Sequence, residues 1–404
     1  MTILFKILIV FFLILWLTSK KLALGFSLFI GSVVLGILFK FKYQVWKELF
    51  KTFVDYSMWE LTITFLVIGI FAVVMNSSGL LDKIIDQFYK ITNNVHIIAA
   101  FIPFIIGMVN IPGGAFISAP FIDKVAQAGL TKEEKSTINI LFRHLWYPIY
   151  PIFPALILVQ ELTAISMNKI ILLGLPSVVI SLISSWIICF GIRSISIQNP
   201  LKKIKNIKNA KNITEFFLLL LPLFSMIFLV VFFKVNTIIS IIAAILLVLL
   251  IFGGDSICFN DLINGINWKV LLIPIGIYSF RQAINLSGVI NDLVGVFNDT
   301  DFTPIIPALF FAIIVAFITG YHLTSVGLTV PLFMPLMTQQ NYDVAVFIMF
   351  MGALFGYWIS PIHSCVVLSN EYFGTTYLNT FKKFIFPAVI SLIVAIFTSF
   401  IVSS

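Results

Sequence analysis

The sequence predicts an all-α polytopic membrane protein built from two inverted repeats, each with five transmembrane helices, one re-entrant hairpin and one discontinuous helix. Of its 404 residues, 60% are hydrophobic and only 10% are charged. The mean hydropathy is +1.10. This composition excludes a soluble protein with a polar surface. Breaks rich in glycine and proline also interrupt apolar stretches at corresponding places in the two halves, a pattern typical of transporters.

The net charge of +8 arises from 25 basic and 17 acidic residues. A basic excess is typical of loops on the cytoplasmic side of a membrane, so it does not indicate nucleic acid as a partner. The first apolar run, Ile3 to Leu17, lacks a small-residue cleavage site and is followed by Lys20 and Lys21. We therefore expect a first transmembrane helix rather than a signal peptide. The predicted location is the cell inner (plasma) membrane, with multiple passes.

Cysteine usage predicts neither a disulfide framework nor a metal site. Cys189, Cys258 and Cys365 lie in or beside apolar sequence and lack metal-ligand spacing. We expect them to be small core residues. No metal and no cofactor is predicted.

The first repeat is predicted to cover residues 1–192. Apolar runs suited to crossing about 30 Å of hydrocarbon fall at 3–18, 22–39, 60–79 and 169–192. An interfacial helix is expected over 41–56 and an amphipathic helix over 80–94. A re-entrant hairpin is predicted over about 96–126. It is followed by a split helix over about 135–160, capped at Thr131 and interrupted by prolines 148, 151 and 154.

A basic linker, residues 193–213, separates the halves and is expected in the cytoplasm because it contains lysines and an arginine but no acidic residue. The second repeat, 214–404, is predicted to contain spans at 214–233, 237–252, 268–287 and 384–402. A second hairpin is predicted over about 303–338 and a second split helix over about 342–370.

Short letter matches indicate a duplicated unit. Trp59 recurs as Trp268, Asn76-Ser77-Ser78-Gly79 as Asn285-Leu286-Ser287-Gly288, and Trp146-Tyr147-Pro148 as Trp358-Ile359-Ser360-Pro361. Five crossings per unit would place the second copy upside down in the membrane. One segment disagrees with that topology, because lysines 40, 42, 47 and 51 would then lie outside.

Three motifs carry a resemblance to known transporters. They are NIPGGAFISAP at 110–120, FRHLWYP at 142–148 and SPIHSCVVLSNEYF at 360–373. They are similar to an uncharacterised prokaryotic family of integral membrane proteins within the ion transporter superfamily. That superfamily includes divalent-anion/sodium symporters, gluconate and citrate permeases, and cation/proton antiporters.

The resemblance implies a scaffold made of the first three spans of each half and a mobile transport domain made of the hairpins, split helices and the spans after them. It also implies a homodimer that works by an elevator movement. Sodium-coupled carboxylate members carry Ser-Asn-Thr at both hairpin tips. Here the tips are predicted at Pro112-Gly113-Gly114 and Ser325-Val326-Gly327, so the resemblance does not extend to the sodium motif.

Cationic or titratable groups, but no carboxylates, are predicted at membrane depth. They are Arg143, His144, Arg281, His322 and His363. Such groups usually face a cavity, and the N-termini of broken helices add positive potential. These features predict an anionic ligand. The candidate substrate-binding residues are Asn110, Pro112, Gly113, Gly114, Ser118, Arg143, His144, His322, Thr324, Ser325, Thr329 and His363.

The predicted function is secondary active transport of a small organic anion, a carboxylate or sugar acid, by an elevator-type movement coupled to protons or sodium. His144, His322 and His363 are the candidates for proton coupling, because histidine titrates near physiological pH. The alternative is a cation/proton antiporter of the same superfamily. A membrane enzyme acting on lipid or undecaprenyl substrates is disfavoured, since no carboxylate cluster, metal set or activated nucleophile is evident. A channel is a further alternative, although paired closed hairpins make a poor continuous pore.

Overall fold

The computed structural model describes residues 3–20, 22–92, 94–109, 111, 113–125, 129–191, 210–252, 259–298 and 303–403. These residues form α-helices, two short 3₁₀ helices and connecting turns, with no β-strand among them. Five helices are long and apolar enough to cross a membrane. They are Tyr56–Ser77, Met167–Phe190, Lys211–Val231, Trp268–Ser287 and Tyr377–Ile401. Shorter apolar helices lie between them, as expected for a helical membrane protein.

The first half contains ten α-helices within the described residues. They are α1 (Ile3–Ser19), α2 (Leu24–Leu38), α3 (Tyr43–Phe50), α4 (Tyr56–Ser77), α5 (Leu80–Ile91), α6 (Val95–Met108), α7 (Gly114–Val125), α8 (Lys132–His144), α9 (Pro154–Thr163) and α10 (Met167–Phe190). A 3₁₀ turn, Lys51–Val54, joins α3 to α4.

The second half repeats this order. Its helices are α11 (Ala210–Val231), α12 (Thr237–Phe252), α13 (Phe259–Gly265), α14 (Trp268–Ser287), α15 (Val289–Asn298), α16 (Ile305–Thr319), α17 (His322–Phe333), α18 (Tyr342–Trp358), α19 (Ser364–Phe373) and α20 (Tyr377–Ser403). A 3₁₀ turn, Met334–Leu336, follows α17. The short helix α13 was not predicted and occupies the place that α3 has in the first half.

Positions matched by letter adopt the same local structure in both halves. The Trp59 indole donates a hydrogen bond to the Phe53 carbonyl at 2.8 Å, and the Trp268 indole donates to the Ile263 carbonyl at 3.0 Å. Gly79 and Gly288 follow α4 and α14 in the left-handed conformation, with φ of +69° and +75°. Glycine adopts such angles without steric cost. The repeated sequence motifs therefore correspond to equivalent turns in the two halves of the chain.

Both predicted split helices are interrupted. The first breaks between α8 and α9, in a segment that contains Pro148 and Pro151, and the second between α18 and α19, around Pro361. The predicted Thr131 cap is confirmed, because its hydroxyl accepts from the Glu134 backbone at 3.2 Å while the Glu134 carboxylate accepts from the Thr131 backbone at 2.9 Å. This reciprocal arrangement is a capping box.

Several predicted boundaries need correction. The last span was expected at 384–402, but α20 already begins at Tyr377. In its first turn the Thr380 hydroxyl donates to the Asn370 side-chain oxygen of α19 at 2.7 Å, and in the next turn Lys383 pairs with Glu134 of α8 at 3.1 Å. Ala210 starts α11, so the end of the predicted linker is helical. Residues 192–209, which hold the rest of that linker, lie outside the described residues.

The helices pack in two groups. In one group α2 packs along α14, α4 along α12 and α5 along α11; in the other α10 packs along α20, α6 along α8 and α16 along α18. Contacts between the groups include those of α17 with α14, α16 with α1 and α9 with α4. Backbones touch where α2 meets α14, since a Cβ on Gly276 would stand 2.1 Å from the Gly25 carbonyl oxygen. Small residues permit such close helix packing in membranes.

Candidate functional site

A cavity of about 330 Å³ lies where the turns of both helical pairs meet both helix interruptions. The α6–α7 turn contributes Ile111 and Gly113, and the α16–α17 turn contributes Gly320 and Tyr321. The interruptions contribute Arg143, Tyr147, Pro154, Tyr357, Ser364 and Cys365. Residues of α4 and of the α13–α14 connection complete the wall: Phe65, Ile68, Gly69, Ala72, Gly265, Ile266, Asn267, Val270 and Leu271.

The two interrupted stretches singled out in the sequence therefore line one cavity. Gly113 and Gly320 stand on its wall although they belong to different halves of the chain. Asn110 and Pro112, two candidates at the first turn, lie outside the described residues. The second turn is found at Gly320-Tyr321 rather than at Ser325-Val326-Gly327. Gly320 ends α16 with φ of +62°, whereas residues 325–327 lie within α17.

Arg143 is the charged residue on the described wall of this cavity, and no acidic side chain lies there. It occupies the last turn of α8 and is only 3% exposed. One guanidinium nitrogen, Nη2, donates to the Ser118 hydroxyl at 3.3 Å. Its Nε has no hydrogen-bond partner among the described residues. The cavity thus contains a buried cation with an unused donor.

Gly114 makes room for this guanidinium. A Cβ added at Gly114 would lie 2.5 Å from Arg143 Nη1 and 2.7 Å from Nη2. Real side chains do not approach this closely, so any larger residue would displace the guanidinium. Gly114 consequently sets the position of a side chain from another helix.

A buried polar network lies behind Arg143 and joins helices of both halves. The Ser118 hydroxyl donates to Asn139 Oδ1 at 2.5 Å, and Asn139 Nδ2 donates to the Ala115 carbonyl and to Ser369 Oγ, both at 2.9 Å. Ser118, a candidate substrate-binding residue, is not part of the described cavity wall. Its position instead ties Arg143 to the network, which satisfies polar groups that would be costly if left unpaired.

The same network continues toward α20. Ser136 on α8 and Thr380 on α20 both donate to the Asn370 side-chain oxygen at 2.7 Å. All three residues are buried. These bonds hold α8 against α19 and α20, and so fix the positions of the two helix interruptions relative to each other.

Three of the chain's four histidines surround one tyrosine. The ring of Tyr357 lies 3.8 Å from that of His363, 4.7 Å from that of His322 and 5.6 Å from that of His144, measured between centroids. All three histidines are buried. The remaining histidine, His96, packs on Phe190 at the start of α6.

These imidazoles leave several nitrogens without partners among the described residues. His144 Nδ1 hydrogen-bonds the Ile140 carbonyl at 2.5 Å, while its Nε2 is unpaired. Both ring nitrogens of His322 and His363 are also unpaired. Buried polar groups in folded proteins almost always have partners. This cluster of unpaired nitrogens is therefore available to a ligand or to water.

His144 and His363 approach each other and Cys365. Their rings are 4.7 Å apart, and one ligand atom from each of the three residues lies within 4.8 Å of the others. Cys365 is partly exposed on the cavity wall. The sequence predicted a core role for this cysteine. Only the meeting of α8 with the α18–α19 interruption places it beside two histidines.

The remaining candidates are buried in α17 and are not part of the described cavity wall. His322 stacks on Phe153 at 4.5 Å between ring centroids. The Ser325 hydroxyl donates to the Ala312 carbonyl at 2.6 Å and so joins the two helices of its pair. Thr324 and Thr329 are buried, and the Thr329 hydroxyl has no partner among the described residues.

Residues that sequence reasoning did not select contribute much of the wall. Tyr147, Tyr321 and Tyr357 line the cavity, and Asn139 anchors the network behind it. Each of the three tyrosines directly flanks a helix break. That adjacency is the sequence signal by which they could have been found. Asn139 lies inside α8 and offers no comparable signal.

These observations define a class: an all-helical protein with membrane-spanning helices, whose halves share one helix order and whose turns and interruptions enclose a cationic cavity. The chain belongs to the family described as "Protein of unknown function (DUF401)", whose model matches residues 1–402. No curated protein matches the sequence. Membership of the ion transporter superfamily therefore stays a prediction.

Proposed function

We propose that this protein is a secondary active transporter of a small organic anion, a carboxylate or sugar acid, which binds in the cavity beside Arg143. The observation that carries the proposal is the buried guanidinium, which faces a cavity whose described wall has no acidic side chain. A buried charge is costly unless it is paired. No ion pair found among the described residues includes Arg143. An anionic ligand would supply the missing partner.

Arginine is suited to this role. Its planar guanidinium presents donors in a fork that matches a carboxylate. Nε is unused, and Nη2 makes one long hydrogen bond to Ser118. A cavity of about 330 Å³ is at the small end of ligand sites, which favours a small substrate.

Helix N-termini strengthen the positive potential of the cavity. Gly113, Pro154, Tyr321 and Ser364 line it, and each stands at the N-terminal end of a different helix: α7, α9, α17 and α19 respectively. The first turn of a helix presents unpaired N–H groups and about half a positive charge. Four such ends converge on one cavity, as a site for an anion requires.

For the membrane arrangement, we propose two inverted repeats, 1–192 and 214–404, joined by the linker 193–213. In this arrangement α6–α7 and α16–α17 are re-entrant hairpins. The two packing groups support a division into a scaffold and a moving transport domain, since the most extensive helix contacts lie within each group rather than between them. An elevator-type movement of the second group against the first would carry the ligand across the inner (plasma) membrane, with the scaffold forming a homodimer.

A cation/proton antiporter is disfavoured by the same cavity. A transported cation needs a negative or oxygen-rich site, whereas the described wall carries Arg143 and no carboxylate. The test is flux in vesicles reconstituted with the full-length protein, using a panel of labelled carboxylates and sugar acids. Arg143→Gln should abolish uptake of the transported anion, and Arg143→Lys should weaken it, because lysine keeps the charge but not the fork.

Arg281→Gln is the matched control. Arg281 lies on α14, is not on the cavity wall, and its loss should leave uptake unchanged. Size-exclusion profiles should show that all variants fold. Anion uptake that persists in Arg143→Gln, or cation flux that does not depend on any anion, would refute the proposal.

A further inference from the structure

We propose that His144, His363 and Cys365 form a binding site for a thiophilic divalent cation, Zn²⁺, with one coordination position open to the cavity. This inference goes beyond anion transport, because it depends on a different set of atoms and can hold whether or not the protein moves an anion. Its basis is the meeting of three metal-ligating side chains with unpaired nitrogens in a buried place.

The geometry is close to that of a zinc centre. One ligand atom from each residue lies within 4.8 Å of the other two. Ligands of a tetrahedral zinc ion stand about 3.3 to 3.6 Å apart, given Zn–N and Zn–S bonds near 2.0 and 2.3 Å. Binding would therefore draw the ligand atoms together by about 1 Å, chiefly through the χ1 rotation of Cys365 and the χ1 and χ2 rotations of His363.

The ring nitrogens are oriented for ligation. His144 donates from Nδ1 to the Ile140 carbonyl, so its Nε2 carries the lone pair that a metal needs. Fixing one ring nitrogen by a carbonyl is the usual outer-shell arrangement of metal-binding histidines. Both nitrogens of His363 are unpaired among the described residues. Either one is available for the same ion.

The ligand chemistry selects the metal class. Two imidazoles and a thiolate suit Zn²⁺ and similar borderline or soft cations, whereas Mg²⁺ and Ca²⁺ prefer oxygen ligands. Cys365 borders the cavity, which gives the ion a route of entry and leaves its fourth position facing the space beside Arg143. Three protein ligands with an open position resemble a reactive zinc site rather than a closed structural one.

Charge links this site to the proposed anion site. Zn²⁺ with one thiolate adds a single positive charge, and Arg143 supplies another, while no acidic residue lies on the described wall. A monocarboxylate in the cavity would neutralise one of these charges, and a dicarboxylate would neutralise both. Zinc and the anion should therefore increase each other's affinity. This second step rests on the proposed function; zinc binding itself does not.

The test uses Co²⁺ as a spectroscopic substitute for Zn²⁺ in the purified full-length protein. A variant with Cys189→Ser and Cys258→Ser leaves Cys365 as the remaining thiol. Co²⁺ should then produce a thiolate-to-metal charge-transfer band at one ion per chain, which Zn²⁺ abolishes by displacement. The band should be lost on adding Cys365→Ser, and metal affinity should fall at least tenfold with His144→Gln or His363→Gln.

His96→Gln is the matched control, since His96 lies near the start of α6, packs on Phe190 and does not belong to the proposed zinc site. The charge-transfer band of this variant should be unchanged. Thermal unfolding without metal checks that each variant folds. The absence of a charge-transfer band in a folded protein that retains Cys365 would overturn the zinc site, and so would a band that survives Cys365→Ser. Uptake that depends on Arg143 is measured without metal, so the two proposals fail separately.

Discussion

The Arg143 guanidinium lies against Gly114, at a distance that leaves no room for a single methyl group. A Cβ on Gly114 would stand 2.5 Å from Arg143 Nη1. Gly114 begins α7, and Arg143 belongs to the last turn of α8. The glycine of the first turn thus determines where the one charged group on the described cavity wall can lie.

Gly114→Ala should weaken anion binding at least tenfold with little loss of stability. The added methyl group forces the guanidinium away from the cavity and from the Ser118 hydroxyl. Displacement of a buried charged hydrogen-bonding group costs about 1.5 to 3 kcal/mol. Ligand-induced stabilisation in thermal unfolding measures the affinity.

Gly295→Ala serves as the control for that substitution, because a Cβ there meets no atom within 4 Å. It should leave ligand-induced stabilisation unchanged. Equal affinities in Gly114→Ala and the wild type would show that Arg143 does not contact the ligand.

Asn139→Leu should destabilise the fold by about 2 to 4 kcal/mol, because the leucine removes three buried hydrogen bonds. The partners of Asn139 in those bonds are Ser118, Ala115 and Ser369. Chemical or thermal unfolding in a fixed detergent measures the change. Asn379→Leu, at an exposed position of α20, should change stability by less than about 1 kcal/mol. A similar loss of stability in both variants would show that the buried hydrogen-bond network does not stabilise the fold.

Gly276→Ala should destabilise the fold through a backbone clash between two helices. The added Cβ would lie 2.1 Å from the Gly25 carbonyl oxygen, which is backbone and cannot rotate away. Separation of α2 from α14 would cost about 1 to 3 kcal/mol or more. Gly69→Ala is the comparison, since its nearest neighbour would be 3.9 Å away. The midpoint of thermal unfolding should fall clearly for Gly276→Ala and should be unchanged for Gly69→Ala.

Anion uptake should be driven by a pH gradient in the absence of sodium. The first described turn carries Gly113-Gly114 and the second Gly320-Tyr321, so neither offers the Ser-Asn-Thr oxygens associated with sodium in the transporters that the sequence resembles. Uptake into vesicles under an imposed proton gradient, with potassium or sodium as the only other cation, distinguishes the two ions. A strict requirement for sodium would contradict this prediction.

The helix order and the positions of both interruptions followed from local rules. Hydrophobic runs predict apolar helices, prolines 148, 151 and 154 remove helix hydrogen bonds, and Thr131 with Glu134 forms a cap whose partners are three residues apart. The repeated turns at Gly79 and Gly288 were recognisable for the same reason. Each of these features depends only on residues close together in the chain, so the sequence alone is enough to predict it.

The identity of the residues on the cavity wall depended on packing between distant segments. Ser118 was predicted to bind substrate; its hydroxyl lies behind the cavity wall, where it bonds Asn139 of α8 and accepts from Arg143. Tyr321 lines the cavity in place of Ser325, because the rotation of α17 turns Ser325 toward α16. The amphipathic period of a helix that is buried on every side does not show which face meets a cavity.

Cys365 illustrates the same limit. The sequence places it two residues from His363 and far from His144, so its spacing matched no metal motif. The two interruptions bring α8 against α19, and the three side chains then stand within reach of one ion. Local backbone chemistry could thus predict where the helices break. Which side chains meet at those breaks was decided by contacts between the halves, whose energies depend on tertiary packing rather than on sequence distance.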